Sequence, residues 1–365
     1  MKFSNVGIVG AGQLGRMMAL SGYPLGLRCR FLDRAADAPG AQVAPILLGD
    51  LEDPERLRQL AADSDVLTFD WENVSGKALR PLEKMTLVRP PREALEVSQD
   101  RLREKAMFGA LRIPVAAYAA VDSRQDLLRA TAKLGGRGIL KTRRLGYDGK
   151  GQFVLHGAGD VDAAWASIGA TELIYERFQA FTREVSLIGV RSSAGDIRYY
   201  PLAANTHSGG VLRYSVAPFV QPALERSARR HMKKVMEKLA YVGVLAIEFF
   251  VVDGRLVANE MAPRVHNTGH WTIEGCVTSQ FENHLRAICD LPLGSTRALG
   301  HAAMINFLGQ MPDRERLLSI DGLSFHDYGK APRPGRKLGH CTVLRKGARD
   351  RDRGLQEAME SVEWS

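Results

Sequence analysis

The N-terminal part of the chain alternates short apolar segments with helical ones, and this alternation restricts the fold more than any other sequence feature. Val6–Val9, Cys29–Leu32 and Val66–Phe69 are short apolar runs that predict buried strands, and Leu14–Gly22 predicts a helix after the first of them. Strands that alternate with helices form parallel sheets. We therefore expect an N-terminal α/β domain over residues 1–98.

A glycine-rich turn joins the first predicted strand to the first predicted helix. The segment Gly10–Gly15 reads GAGQLG, and the acid Asp33 follows about twenty residues later, as in a dinucleotide-binding fingerprint. Glycines at a helix N-terminus let backbone N–H groups approach any phosphate, including that of a sugar phosphate. A tight structural turn needs similar glycines. The motif alone leaves a dinucleotide, another phosphate and a structural turn open.

Composition argues against several kinds of partner. The chain has 365 residues, more than one compact core holds, so two or three modules are expected. The net charge is +9, but the 50 basic residues are mixed with 41 acidic ones and form no long tract, so nucleic-acid binding is not expected. No apolar run is long enough for a membrane span, and the chain starts in a strand-like run without a secretion signal. Four cysteines without a CxxC pair fit a reducing compartment, so we expect a cytoplasmic protein.

A lysine and a glycine-rich loop lie close together in the middle of the sequence. Lys141 ends the apolar run Ile139–Lys141, and three glycines follow within Gly146–Gly151. Unhindered backbone N–H groups beside a lysine are suited to binding a phosphate chain. A hairpin turn between two strands would contain similar glycines, so both interpretations remain open.

Two glutamates lie in a predicted β-hairpin. Its strands, Val244–Val252 and Arg255–Glu260, are separated by Asp253-Gly254, a strong turn signal. Glu248 lies in an apolar strand, where an unpaired carboxylate is costly. A three-residue loop with a left-handed glycine would put Glu248 and Glu260 on one face, whereas a two-residue loop would separate them. On one face they would suit Mg²⁺ beside a triphosphate; the alternative is salt bridges to arginines.

The segment Pro263–Trp271 is unusually dense in polar functional groups. It contains an arginine, an amide and two histidines, namely Arg264, Asn267, His266 and His270. This density directly after the paired acids is difficult to explain by packing. It predicts a reaction centre.

At these residues the sequence resembles the ATP-grasp superfamily and, more narrowly, the 5-(carboxyamino)imidazole ribonucleotide synthases of purine biosynthesis. The resemblance extends from Gly10 to about His340. The motifs that carry it are GAGQLGRM starting at Gly10, GYDGKGQ at Gly146–Gln152, REVSLIG at Arg183–Gly189, NEMAPRVHNTGHWT at Asn259–Thr272 and RPGRKLGH at Arg333–His340.

The resemblance implies an α/β and α+β chain with an ATP-grasp fold. A Rossmann-like pre-ATP-grasp domain would occupy residues 1–98. The ATP-grasp domain would cover 99–296, with a lid at about 115–181, and a small C-terminal domain would cover 297–365.

The resemblance also implies site residues. Those placed on ATP are Arg101, Lys141, Gly146, Tyr147, Asp148, Gly149, Lys150, Gly151, Gln152, Glu176, Arg177, Phe178, Gln179, Glu184, His207, Asn259 and Glu260. Those placed on the ribonucleotide are Gln13, Leu14, Glu72, Tyr147, Asp148, Lys150, Arg264, His266, Lys330, Arg336 and Lys337, the last three on its phosphate. Glu248 and Glu260 would hold Mg²⁺, and Asp148, Arg264 and His266 would be catalytic.

The activity implied is ATP-dependent carboxylation of 5-aminoimidazole ribonucleotide by bicarbonate through carboxyphosphate, with release of ADP and phosphate. Either Asp148 or His266 could take the proton of the amine. A homodimer is also implied. The sequence departs from the family pattern at Leu145, where glycine is more usual, and at Trp71, where a smaller aromatic residue is more usual. Neither residue touches the proposed chemistry, so we expect activity to persist.

Overall fold

The computed structural model describes residues 3–146, 151–169 and 172–362, which form three β-sheets with helices packed on them. The mixed α/β architecture agrees with the expected fold class. Among the described residues, no helix combines the length and the apolar character that a membrane crossing needs.

The N-terminal domain is a five-stranded parallel sheet, as its sequence alternation predicts. The strands lie in the order β3-β2-β1-β4-β5. The elements are β1 (Asn5–Val9), α1 (Gln13–Gly22), β2 (Arg28–Asp33), β3 (Ile46–Leu48), α2 (Pro54–Ala62), β4 (Val66–Phe69), α3 (Gly76–Leu79), β5 (Leu87–Val88) and α4 (Arg92–Ser98). The strand order reverses between β1 and β4, and the crevice beyond such a switch point is where α/β sheets bind ligands.

A small α+β unit follows, where the lid is expected. Helix α5 (Arg101–Ala110) precedes this unit, whose elements are β6 (Tyr118–Val121), α6 (Arg124–Leu134), β7 (Gly138–Thr142), β8 (Gln152–Leu155), α7 (Val161–Ile168) and β9 (Leu173–Arg177). The antiparallel strands lie in the order β6-β9-β7-β8. The glycine-rich segment connects β7 to β8, where Lys141 is paired with Gln152. The pairing of β7 with β8 is compatible with either interpretation of the glycines in the sequence between them.

A nine-stranded antiparallel sheet forms the centre of the molecule. Eight strands lie in the order β15-β14-β10-β12-β13-β16-β18-β17, and β11 pairs with β10. The remaining elements are β10 (Arg183–Arg191), β11 (Ile197–Tyr199), β12 (Ala203–Ser208), β13 (Val211–Ala217), α8 (Pro222–Lys238), β14 (Gly243–Val252), β15 (Arg255–Ala262), α9 (Thr272–Gly275), α10 (Gln280–Ile288), β16 (His301–Leu308), α11 (Arg314–Leu318), β17 (Leu323–Asp327), β18 (Lys337–Arg345) and α12 (Ala348–Met359). Helix α8 begins at Pro222, which occupies a first-turn position where its missing N–H costs nothing.

The C-terminal strands continue the central sheet rather than forming a separate one. Strand β16 pairs with β13 along Tyr214–Ala217, so strands from both sides of residue 297 share one hydrogen-bonded ladder. This continuity fixes the loop between β17 and β18 against the N-terminal domain. The division of the chain at residues 98 and 297 stays a prediction.

Candidate active site

A β-bulge brings the two glutamates of the hairpin face to face. The turn has only two residues, Asp253 and Gly254, with φ angles of 48° and 71°. Phe249 lies opposite Ala258, as this short turn requires. The register then shifts by one residue, so Glu248 lies directly opposite Glu260. A regular ladder with this turn would have separated them, and the extra residue of the bulge restores the shared face.

The two carboxylates have different electrostatic surroundings. Burial and the neighbouring charge of Glu260 raise the pKa of Glu248 to about 7. Removal from bulk water also opposes ionisation of Glu260, but its pKa is lowered because Arg101 donates to it from Nη1 at 2.8 Å. Glu260 is therefore already paired with a cation of the protein, whereas the ionised form of Glu248 would be stabilised by an added cation.

A second carboxylate, Glu176, lies on the lid side of the same region with two lysines. The Nζ atoms of Lys141 and Lys105 each lie 3.2 Å from Glu176 Oε2. Burial opposes ionisation of Glu176, but these lysines and Arg101 together lower its pKa to about 2. Burial lowers the pKa of Lys141 despite this partner. The strand lysine is thus held at a fixed position with limited solvation.

Glu184 and His207 form an ion pair on the neighbouring strands β10 and β12. Burial opposes protonation of His207, but the hydrogen bond with Glu184 and the charge of Glu248 raise the pKa of His207. The pair therefore lies beside the paired glutamates, on the same sheet.

Strands β14 and β15 border a cleft of about 880 Å³ between the N-terminal domain, the lid and the central sheet. Twelve of the predicted site residues line it: Gln13, Leu14, Glu72, Arg101, Gly146, Glu248, Glu260, Arg264, His266, Lys330, Arg336 and Lys337. Residues far apart in sequence are thus brought to one cavity. Its volume suits a small-molecule site.

The other predicted residues lie outside the lining of this cleft or outside the described residues. The former are Lys141, Gly151, Gln152, Glu176, Arg177, Phe178, Gln179, Glu184, His207 and Asn259. Tyr147, Asp148, Gly149 and Lys150 lie outside the residues that the structure describes. The ring of Phe178 is covered by the Arg137 guanidinium at 3.8 Å, which gives this part of the lid one flat surface.

The polar loop after β15 is held in place by buried side chains. Arg264 Nη2 lies 2.9 Å from Glu72 Oε2, which joins the loop to the N-terminal domain. The Gln280 amide accepts a hydrogen bond from the backbone N–H of His266 at 3.0 Å and donates to its carbonyl at 2.6 Å. Burial lowers the pKa of His266, and its Nε2 lies 3.9 Å from Glu248 Oε1. His266 is therefore uncharged at neutral pH and directed at the paired carboxylates.

The opposite end of the cleft is basic. Lys330 Nζ donates to Gln13 Oε1, and burial lowers the pKa of Lys330 to about 8. Arg333, Arg336 and Lys337 line the cleft beside it. Four cations on this loop and at the start of β18 favour binding of an anion such as a phosphate.

The glycine turn after β1 is filled by carboxylates of the protein itself. The N–H groups of Gly12 and Gly15 donate to Asp70, and the N–H of Ala11 donates to Asp33 Oδ2 at 2.7 Å. Burial raises the pKa of Asp70. Because these donors are satisfied internally, the structural interpretation of the motif is favoured over a dinucleotide or another phosphate at this turn.

Sequence reasoning missed several residues around the cleft. Lys105, Glu104 and Asp70 are buried, and Arg143 binds Asp100, which caps the N-terminus of α5 at Leu102. The signal for Asp100 was readable, since an Asp before a helical run is a typical N-cap. Nothing local distinguishes Lys105 from the solvent-exposed lysines of other helices.

The oxygen atoms beside the facing glutamates determine whether the site could bind a divalent cation. No group of three or more His, Cys, Asp or Glu side chains suited to a metal occurs among the described residues. The facing pair Glu248 and Glu260 supplies two carboxylates, and the adjacent Asn259 Oδ1 is buried without a hydrogen-bond partner in the described structure. Mg²⁺ usually takes one or two carboxylates and completes its shell with water and substrate phosphates, so the donor set fits that ion.

Comparisons with known proteins agree with this geometry. Three family models match: the ribonucleotide synthetase preATP-grasp domain over residues 3–99, the ATP-grasp domain over 106–281 and the phosphoribosylaminoimidazole carboxylase C-terminal domain over 302–353. The chain is 49% identical to N5-carboxyaminoimidazole ribonucleotide synthase of Pseudomonas aeruginosa over 338 residues, which cover 93% of this chain and 94% of the relative.

Solved structures show the same likeness. The crystal structure of N5-carboxyaminoimidazole ribonucleotide synthetase from Thermus thermophilus matches with a TM-score of 0.95 at 46% identity, covering 99% of both chains. The Aspergillus clavatus synthase in complex with ADP and 5-aminoimidazole ribonucleotide matches with a TM-score of 0.93 at 30% identity, again over 99% of both chains.

Proposed function

The chain belongs to the N5-carboxyaminoimidazole ribonucleotide synthase family, and on that premise we propose how its cleft performs the reaction. The protein is an ATP-dependent ligase of purine biosynthesis. It carboxylates 5-aminoimidazole ribonucleotide with bicarbonate and releases ADP and phosphate. The observation that carries the proposal is the facing pair Glu248 and Glu260, which lies in one cleft with the basic loop at Lys330–Lys337.

ATP would lie between the lid and the central sheet. Lys141 is a buried cation beside Glu176, and Arg101 is a partly buried one beside Glu260, so both can neutralise phosphate charge without moving far. The backbone of Glu176–Gln179 would border the base, Glu184 would bind the ribose, and His207 would make another contact with the nucleotide. The glycine loop that begins at Gly146 would close over the phosphates and exclude water.

Mg²⁺ would be held by Glu248 and Glu260, with the Asn259 amide oxygen alongside. Such an ion supplies charge neutralisation on the transferring phosphoryl group. In its absence Glu248 is an acid whose pKa is raised by burial and by Glu260, and this is the arrangement that a cation would relieve.

The remaining steps use side chains of the polar loop and the basic loop. An oxygen of bicarbonate attacks the γ-phosphorus of ATP, the bond to ADP breaks, and carboxyphosphate forms. Arg264 and His266 hold this anion near the exocyclic amine of the ribonucleotide, whose phosphate binds Lys330, Arg336 and Lys337. Direct attack by the amine on the carboxyl carbon of carboxyphosphate forms the C–N bond and expels phosphate. Alternatively, carboxyphosphate first breaks down to phosphate and carbon dioxide, and the amine then adds to the carbon dioxide. Asp148 or His266 takes the amine proton.

A substrate-dropout assay tests the proposal. ADP release should require bicarbonate, 5-aminoimidazole ribonucleotide and Mg²⁺ together, and withdrawal of any one should reduce the rate to background. Formate in place of bicarbonate should give no turnover, which separates this activity from that of formate-activating ATP-grasp ligases. Full activity with formate would contradict the assignment.

We also propose that the enzyme works in the cytoplasm as a homodimer with no nucleic-acid partner. The family resemblance supports the dimer, and the dispersed charge argues against a nucleic-acid surface. Light scattering coupled to size exclusion should give twice the mass of the chain. A monomer mass with full activity would contradict the dimer.

A further inference from the structure

The side-chain amide of Asn267 is unusual because its polar atoms are buried and lack hydrogen-bond partners among the described residues. The residue follows His266 directly and lines the cleft. Its Oδ1 and Nδ2 atoms are both buried, and neither has a hydrogen-bond partner in the described part of the chain. A buried polar atom left without a partner costs about 1–3 kcal/mol. Two such atoms on one amide indicate that a ligand supplies the missing partners.

The position of Asn267 limits what this ligand can be. The turn Asn267–Gly269 packs against β12, the strand that carries His207. On the other side, the preceding His266 points its Nε2 towards Glu248. The amide is therefore close to the phosphoryl-transfer end of the cleft, in the same loop as Arg264.

The hydrogen-bonding groups of the Asn267 amide further limit which ligand can bind there. A primary amide offers donors at Nδ2 and an acceptor at Oδ1. Bicarbonate has charged oxygens that accept and one O–H group that donates, so one amide can satisfy both. A phosphate ester dianion or a formate anion has no O–H proton to offer to Oδ1.

We propose that Asn267 binds bicarbonate, with Nδ2 donating to a carboxylate oxygen and Oδ1 accepting from the O–H group. The inference rests on the proposed function, since bicarbonate is the substrate of that reaction. Asn267 thereby orients the anion so that an ionised oxygen, rather than the hydroxyl, faces the γ-phosphate. It is a specificity residue for the one-carbon substrate.

The test replaces Asn267 with leucine, which has nearly the same shape and no polar atom. ADP release is measured against bicarbonate in buffers depleted of carbon dioxide, with ATP and ribonucleotide saturating. Asn267→Leu should raise the KM for bicarbonate by about 10- to 100-fold, the effect of losing hydrogen bonds to a charged group. The KM values for ATP and ribonucleotide should stay within about two-fold. Asn73→Ala, at the other asparagine lining the described cleft, should leave the bicarbonate KM unchanged.

Stability provides a readout that separates binding from a structural role. Because the amide has no partner in the described residues, Asn267→Leu should leave the melting temperature unchanged or raise it. Where leucine is not tolerated, Asn267→Asp keeps the shape, removes the Nδ2 donor and should also raise the bicarbonate KM.

Three results would overturn the proposal: an unchanged bicarbonate KM in both variants, a rise confined to the ribonucleotide KM, or a lower melting temperature with normal kinetics. Wild-type protein without bicarbonate-dependent ADP release would instead refute the proposed function. The two failures are therefore distinguishable.

Discussion

Glu248 and Glu260 face each other across β14 and β15 although only two residues, Asp253 and Gly254, form the turn of their hairpin. The bulge opposite Glu248 produces this arrangement, and its cost is the repulsion of two neighbouring carboxylates. Arg101 Nη1 lies 2.8 Å from Glu260 Oε2, whereas the nearest such contact recorded for Glu248 among the described residues is His266 Nε2 at 3.9 Å. Removing one charge should therefore have opposite effects on stability at the two positions.

The first prediction concerns Glu248→Gln and Glu260→Gln. Both should reduce Mg²⁺-dependent ADP release by about 10²-fold or more, because each loses charge stabilisation at the phosphoryl group. In EDTA, Glu248→Gln should raise the free energy of unfolding by about 1 kcal/mol, since a buried repulsive charge disappears. Glu260→Gln should lower it, because Arg101 is left without its carboxylate. Thermal unfolding with and without Mg-ATP measures both effects.

Equal losses of stability in the two glutamine variants would show that the carboxylates do not repel each other in the free protein. Stabilisation by Mg-ATP that persisted in both variants would contradict their assignment as the metal ligands.

The second prediction is that the two lysines that bind Glu176 have different roles, Lys141 in ATP binding and Lys105 in stability. Lys141→Met should raise the KM for ATP by about ten-fold or more, because a fixed charge beside the phosphates is lost. Glu176 keeps its contact with Lys105, so the protein should remain folded. Lys105→Met should instead lower the free energy of unfolding by about 3 kcal/mol, since this almost fully buried lysine also binds the Asn259 carbonyl. ATP kinetics and urea denaturation of both variants test the contrast; a similar profile for the two would contradict it.

The third prediction concerns the glycine turn. A Cβ atom on Gly12 would lie 2.5 Å from Asp70 Oδ2, so Gly12→Ala should cost about 1–3 kcal/mol of unfolding free energy. Gly109→Ala is the matched control, because a Cβ there meets nothing within 4 Å and the helix α5 should be unchanged or slightly more stable. Denaturant unfolding measures both. Titration with NAD should show no binding to the wild type, and binding would restore the dinucleotide interpretation.

The sequence was sufficient to predict the main architecture. The alternation before residue 98 predicted the parallel sheet, and Asp253-Gly254 predicted the hairpin. These patterns are local, and each has one dominant structural solution. The continuation of the central sheet into β16, β17 and β18 could not be predicted, because the pairing of β13 with β16 joins segments separated by a long stretch of chain.

The site was predictable only in part. The sequence indicated which residue types form the site. It did not determine the register of the hairpin, because a two-residue and a three-residue loop were both compatible with the same sequence. The glycine turn was ambiguous for a similar reason: its N–H groups bind Asp70, which returns to the turn from the end of β4. A carboxylate of the protein and a phosphate of a ligand satisfy the same donors, and only the structure tells them apart.

The last prediction concerns acid stability and depends on His284. Burial lowers the pKa of this histidine from 6.5 to about 3. Its Nδ1 accepts a hydrogen bond from the Val244 N–H at 3.1 Å, so the neutral ring carries its proton on Nε2 and donates to Thr68 Oγ1 at 2.8 Å. His284 thus joins the N-terminal sheet to the central sheet only while it is uncharged.

The folded and unfolded states bind protons at His284 over different pH ranges, so this residue makes the stability depend on pH. Between about pH 6.5 and pH 3 the unfolded chain binds a proton at His284 and the folded protein does not. The contribution of His284 is therefore complete above pH 6.5 and is lost as the pH falls, at about 1.4 kcal/mol per pH unit. We expect the pH dependence of unfolding free energy between pH 6 and 4 to be shallower by that amount in His284→Gln, which keeps hydrogen-bonding groups without titrating. Urea denaturation at several pH values measures the slope, and identical slopes in the two proteins would show that His284 is protonated in the folded state.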